Sequence, residues 1–250
     1  MSRPLPFFTL LSGAALMALS VSGCSRTSDS PAADGPAQTA QDWSALKDFD
    51  AIDATGPDDV VVTIGTGFAV KAEGDAKAIA NLDIRVKGDM LVIGRNGKMD
   101  WNWGNDGSKG ATVRITMPAI KAATLTGSGN LDLDRAAGDS LDLSLTGVGD
   151  VRIGTATLAS LSADITGTGS IKIAGTADRA KLSITGTGDI DGEALKIGTA
   201  DLSVLGTGDI YIASDGKVAI SITGPGDVTV KGKAQCTTSG TGPGEAHCAP

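Results

Sequence analysis

From about residue 121 onward, aliphatic and polar positions alternate with period two. Leu141-Asp142-Leu143-Ser144-Leu145, Leu182-Ser183-Ile184, Leu202-Ser203-Val204 and Val218-Ala219-Ile220-Ser221-Ile222 keep that alternation. It resumes in Val151-Arg152-Ile153, Ile171-Lys172-Ile173, Ile210-Tyr211-Ile212 and Val228-Thr229-Val230. Such a period sends one row of side chains into a core and the next into solvent, so these segments read as half-buried strands and not as helices.

Between the strands a short motif recurs: aliphatic, Thr, Gly, any residue, Gly, then Asp, Asn or Ser, then aliphatic. Its glycine pairs are Gly127 and Gly129, Gly147 and Gly149, Gly167 and Gly169, Gly186 and Gly188, Gly206 and Gly208, and Gly224 and Gly226. Leu205 takes the Thr place in one copy and Pro225 separates the glycines in another. Ser239-Gly240-Thr241-Gly242 reads as a degenerate last copy without the Asp. First glycines are then spaced by 20, 20, 19, 20, 18 and 16 residues. A unit this short leaves no room for a crossover helix, so each unit is two or three short strands, and the glycines supply a corner where φ turns positive.

One such unit cannot bury its aliphatic face alone, and stacked neighbours can. The expected architecture is all-β: a single-chain parallel β-helix, or β-solenoid, of about 20-residue coils, with equivalent residues about 4.8 Å apart up each face. Leu, Ile and Val would fill the inside. Outside would run columns of Ser144, Ser183, Ser203 and Ser221 beside Thr126, Thr146, Thr166, Thr185 and Thr223.

Residues 43–120 lack the repeat but still read as strands at 60–64, 68–70, 82–86, 90–93 and 111–117. Gly65-Thr66-Gly67 and Lys87-Gly88-Asp89 have the composition of hairpin turns. A terminal coil must be protected against edge pairing, so this atypical N-terminal β region is expected to cap the repeat β-helix of residues 121–250, the two forming one continuous domain. Arg95–Gly107 reads as an exposed loop, and its Trp101 and Trp103 are the candidates for partner contact, since Trp is enriched at interfaces.

Met117-Pro118, the Leu125-Thr126-Gly127-Ser128-Gly129-Asn130-Leu131 unit and the returning Thr-Gly-x-Gly-Asp units resemble the GIN-domain family, described as auto-transporter adhesin head domains of unknown function. The resemblance spans about residues 47–248. It implies a β-helical fold on an exported bacterial protein, and it implies no activity and no catalytic residue. The sequence up to Pro250 shows no C-terminal barrel of the kind an autotransporter needs.

Arg3 precedes an apolar run from Leu5 to Val21, broken by Thr9, Ser12, Gly13 and Ser20, which is a signal-peptide layout. Val21-Ser22-Gly23-Cys24 then resembles a bacterial lipobox. Residues 1–23 are read as the signal peptide and Cys24 as the lipidated first mature residue. Residues 24–42, small and polar, are read as a flexible tether. Ser25 after the Cys favours the outer membrane by that resemblance. In such an oxidising compartment, Cys236 and Cys248 are expected to form one disulfide.

Composition removes most reactive chemistries. The net charge is −8, or −9 once a leader carrying only Arg3 is removed, which argues against nucleic acid. His247 is the single histidine. No turn reads Gly-x-Gly-x-x-Gly before a helix, so no nucleotide site is expected, and neither a metal nor a cofactor is expected. Asp189 and Asp209 share a motif position on adjacent coils and could sit about 5 Å apart, the separation of a retaining glycosidase pair. Asp150 is a third such carboxylate. Asp at a turn also satisfies local backbone donors, and the position recurs along the whole chain, so it reads as architectural. The expected function is therefore a lipid-anchored binding or structural domain on the cell envelope, held to the membrane by its lipid and facing an envelope polysaccharide or surface protein. A carbohydrate-active enzyme is the alternative.

Overall fold

The computed structural model describes residues 41–43, 45–96 and 110–249. The expected signal peptide, Cys24, and Trp101 and Trp103 lie outside the described residues. The chain forms strands β1 Gln41–Asp42, β2 Ala51–Gly56, β3 Asp59–Ile64 and β4 Ala69–Gly74, then helix α1 Ala76–Ala80. After it come β5 Leu82–Lys87, β6 Met90–Arg95, β7 Ala111–Met117 and β8 Ala122–Gly127. The repeat supplies β9 Leu131–Gly147, β10 Val151–Gly167, β11 Ile171–Gly186, β12 Ile190–Gly206 and β13 Ile210–Thr223. The last coil and a half is β14 Val228–Lys231, β15 Gln235–Thr241 and β16 Ala246–Ala249.

Strands β8 through β16 pair in parallel, coil upon coil, as the repeat predicts. Each long strand bends twice where two successive residues turn away from the core, at 134–135 and 139–140 in β9 and at 154–155 and 159–160 in β10. With the glycine turn as a third corner, every coil has three walls. Leu131, Val151, Ile171, Ile190, Ile210 and Val228 stack in one inward column, and Leu145, Ile165, Ile184, Val204 and Ile222 in another. None of these is more than 4% exposed. The outward columns are equally regular: Ser144, Asp164, Ser183, Ser203 and Ser221 follow one another, as do Thr126, Thr146, Thr166, Thr185, Leu205 and Thr223.

The N-terminal region contributes coils of its own. β2 pairs with β6 on one side and β8 on the other, and β3 pairs with β7 and β9. The first coil in sequence is thus the second in the stack. Beyond it, β4 runs antiparallel to β7 and β5 antiparallel to β6, closing the end of the solenoid. Gln41–Asp42, at the end of the predicted tether, pair antiparallel with β4. The hairpin expected at Gly65-Thr66-Gly67 does not form. β7 lies between β3 and β4, because β3 has already given its edges to parallel partners. Gly88-Asp89 does close a two-residue hairpin, with Lys87 opposite Met90 and Gly88 at φ +67°. Strands β1 and β2 have no counterpart in the sequence reading, and neither does α1, whose five residues are too few to show a helical period. Asp75 caps it by accepting from the amides of Lys77 (2.9 Å) and Ala78 (3.2 Å), and Ala78 and Ile79 are buried.

The last motif copy lies two residues later than the sequence spacing suggested. Gly240 is a strand residue paired with Ile222, and the turn is Gly242-Pro243-Gly244-Glu245, stacked on Gly224-Pro225-Gly226-Asp227. Gly244 N donates to Gly224 O at 3.0 Å. The spacing there is 18, and the acidic residue missing from the expected copy is present as Glu245.

Candidate functional site

At each turn the two glycines answer different constraints. Gly127, Gly147, Gly167, Gly186, Gly206 and Gly224 have φ between +125° and +139°, a conformation that side chains disfavour. The second glycines have no such φ, but a Cβ on Gly149, Gly169, Gly188, Gly208 or Gly226 would lie within 3.0 Å of the carbonyl oxygen of the equivalent glycine one coil below. The turns stack backbone on backbone. Thr168 N donates to Gly147 O, Thr187 N to Gly167 O and Thr207 N to Gly186 O, each at 2.9 Å.

The residue after the second glycine continues this stacking with its side chain. Asn130 N donates to Asp59 Oδ1 (2.9 Å), Asp150 N to Asn130 Oδ1 (3.0 Å) and Ser170 N to Asp150 Oδ1 (3.2 Å). Higher up, Asp209 N donates to Asp189 Oδ1, Asp227 N to Asp209 Oδ1 and Glu245 N to Asp227 Oδ1, all at 2.8 Å. Each side-chain oxygen thereby accepts the backbone amide of its own equivalent on the next coil. The column is a ladder of turn amides, which gives a physical reason for Asp, Asn or Ser at this position.

The ladder changes character at Ser170, whose hydroxyl donates to Asp150 Oδ1 at 2.9 Å instead of presenting a carboxylate to the coil above. A groove of about 490 Å³ opens there, lined by Asp150, Arg152, Ser170, Lys172, Asp189, Asp191, Glu193 and Tyr211. Arg152, Lys172, Asp191 and Tyr211 form one outward column, two residues past the ladder. Arg152 Nη2 lies 3.2 Å from Asp150 Oδ2, Lys172 pairs with Asp191, and Lys231 Nζ lies 3.2 Å from Glu193 Oε1. The Lys172 ammonium, hydrogen-bonded to Asp191, holds that carboxyl below the usual range. The charge on Asp209, which accepts the Tyr211 hydroxyl at 3.3 Å, pushes the phenol above its usual range.

Asp150, Asp189 and Asp209 do fall in one column, with Ser170 between the first two, so the pair nominated for glycosidase chemistry sits on adjacent rungs. Both members are engaged in the ladder. The register also gathers residues that the sequence keeps apart, since Arg152, Lys172, Asp191 and Tyr211 lie about 20 positions from one another and occupy successive rungs. Among the described residues no three His, Cys, Asp or Glu side chains gather as a metal-binding group.

Near the N-terminal end, Asp58 is 6% exposed and takes the guanidinium of Arg95 in two bonds of 2.7 and 2.6 Å and the amide of Ala111 at 2.8 Å. Arg95 ends β6 and Ala111 opens β7, so Asp58 holds the neighbouring ends of these two strands together. At the other end, Cys236 and Cys248 are joined in a disulfide. Cys236 stacks on Val218 and Cys248 on Val230, both valines being buried, so the half-buried Cys236 and the exposed Cys248 end two core columns and the bridge lies over the open end of the solenoid.

The fold is thus a three-walled parallel solenoid whose turns are stacked on one another. The chain belongs to the family described as "Putative auto-transporter adhesin, head GIN domain", whose model matches residues 48–234. Among solved structures it is similar to one titled a putative adhesin from Bacteroides fragilis, at 25% identity and TM-score 0.77, covering 84% of this chain and 96% of that one. A putative adhesin from Parabacteroides merdae has 18% identity and TM-score 0.66, over 86% of this chain and 98% of that one. A putative lipid binding protein from Parabacteroides distasonis has 19% identity and TM-score 0.65, with the same coverages. Among curated proteins none matches the chain.

Proposed function

We propose that this chain is an exported envelope lipoprotein, held through a lipidated Cys24, whose solenoid presents a rigid binding or structural surface and performs no catalysis. The observation that carries this reading is the turn ladder: the carboxylates best placed for hydrolysis each hold the amide of the next coil. The disulfide fits an oxidising compartment. Family membership supports an adhesin-like role. The outer membrane is the location favoured by Ser25, and an envelope polysaccharide or a surface protein is the partner.

Two experiments test it. Metabolic labelling with radioactive palmitate should mark the chain, and Cys24→Ala should abolish the label and release the protein from the membrane fraction. Retention of the label in the Ala variant would remove the anchor from this account. In a binding screen against peptidoglycan, envelope polysaccharides and surface proteins, at least one should be retained, and loss on replacing Trp101 and Trp103 by Ala would assign that contact to the inserted loop. Retention of none of them would contradict the binding role.

A further inference from the structure

The groove at Ser170 lies beside a wall where the stacking of the coils is irregular. The wall from Leu161, Ala180 and Ala200 to the glycine turn pairs residue for residue from β10 to β12. The wall after the turn does not. Its register shifts between Ile153 and Ala156, between Lys172 and Gly175, and between Gly192 and Lys196. From Val151 to Leu158 and from Ile190 to Ile197, β10 and β12 use seven steps, where β11, from Ile171 to Ala177, the register partner of both ends, uses six. The residue that β11 lacks falls at Ala174-Gly175, just past Lys172 of the groove. Bulges of this kind re-aim side chains beside binding sites, and departures from an otherwise consistent repeat concentrate at functional positions.

The groups gathered there alternate in hydrogen-bonding character. Arg152 and Lys172 donate, Asp150, Asp189, Asp191 and Glu193 accept, Ser170 does both, and Tyr211 offers a ring face with a polar tip. Lys172, Arg152 and Lys231 neutralise three of the carboxylates in place. A polyanion would meet the remaining acidic column. A polycation would have to displace ion pairs already formed. A neutral sugar ring, with an apolar face for Tyr211 and vicinal hydroxyls that both donate and accept, suits every feature of the lining.

We infer that this groove is a binding subsite for a neutral saccharide, with Tyr211 as the platform and Ser170 as the small residue that opens it. The inference rests on the reading of the solenoid as a binding module and names the ligand class and place. Titration calorimetry of the purified full chain in detergent, with cellotetraose, chitotetraose and maltotetraose as probes, tests it. At least one tetrasaccharide should bind, and Tyr211→Ala should weaken it by about tenfold or more. Ser170→Asn, which puts into the groove a side chain the column already holds at Asn130, should weaken it as well. Circular dichroism establishes that both variants keep the fold.

Binding by none of the three, or binding unchanged in both variants, would overturn the inference. If the full chain is still retained by peptidoglycan or a surface protein in that case, the binding module stands and only the groove assignment falls. If nothing is retained, both fall together.

Discussion

A first glycine of the turn answers two constraints, a positive φ and a close approach to the coil below, and the two can be measured apart. Gly186 has φ +133° and a Cβ there would also strike the Gly167 carbonyl, whereas Gly138 has φ +143° with nothing within 4 Å. Gly138→Ala should cost only the strained backbone, about 1 to 2 kcal/mol. Gly186→Ala adds overpacking against a backbone that cannot yield, for a total of about 3 kcal/mol or more. Chemical denaturation of the two variants reads the difference, and equal losses would remove close stacking as the reason for the motif. Tyr211 is a second residue-scale probe, being the chain's single tyrosine. Its phenol is raised by the charge on Asp209, so it should titrate above the usual value of about 10, and Asp209→Asn should bring it down. Because the folded value lies above the unfolded one, this contribution to stability is complete below the unfolded value and is lost as pH rises through the folded value. The phenolate's near-ultraviolet absorbance follows the titration. At this scale the sequence showed which residues repeat, but the ladder partners are about 20 positions apart and become visible only with the register.

Elements were most legible where their pattern is local. Period two placed the repeat strands, and Gly88-Asp89 announced its hairpin, because neighbouring residues settle both. The cap was legible as a region without the repeat, but its strand order was not, since β2 and β3 sit between coils that come later in the chain and no local pattern encodes that order. The final turn was misplaced for a related reason: Ser239-Gly240-Thr241-Gly242 imitates the motif two residues early, while Thr-Gly-Pro-Gly recurring at 223–226 and 241–244 marks the true copy. The terminal coil also carries a prediction. Its strand β15 is largely exposed, and the disulfide, closing a separation of 12 residues, supplies a tie that the core does not. Replacing both cysteines by Ser should lower stability by about 3 kcal/mol in the chain-entropy account. In a solenoid, where each coil contacts only its neighbours, that loss should appear first as proteolytic cleavage after Lys231 or Lys233. Cleavage appearing first in β9 or β10 would contradict it.

For the whole molecule, one cluster of buried hydrophobic residues runs from Phe49 to Val230, and the turns on its surface are held by a column of side chains bonded to the coil above. The same column that suggested a hydrolase is thereby part of the scaffold, and the open groove beside it lies by a wall where the scaffold departs from its own repeat. The sequence made the solenoid readable because it is written in short patterns. It left the groove unread because Arg152, Lys172, Asp191 and Tyr211 belong to four different coils. The most direct measurement pairs Asp209→Ala with Asp209→Asn, each assayed for unfolding free energy and for release of reducing sugar from envelope polysaccharides. If the ladder is structural, Asn keeps an oxygen for the Asp227 amide and leaves stability close to that of the parent, Ala loses about 1 to 2 kcal/mol, and neither variant changes a hydrolytic activity. A glycan-cleaving activity in the parent that disappears in the Asn variant, with stability unchanged, would contradict the account.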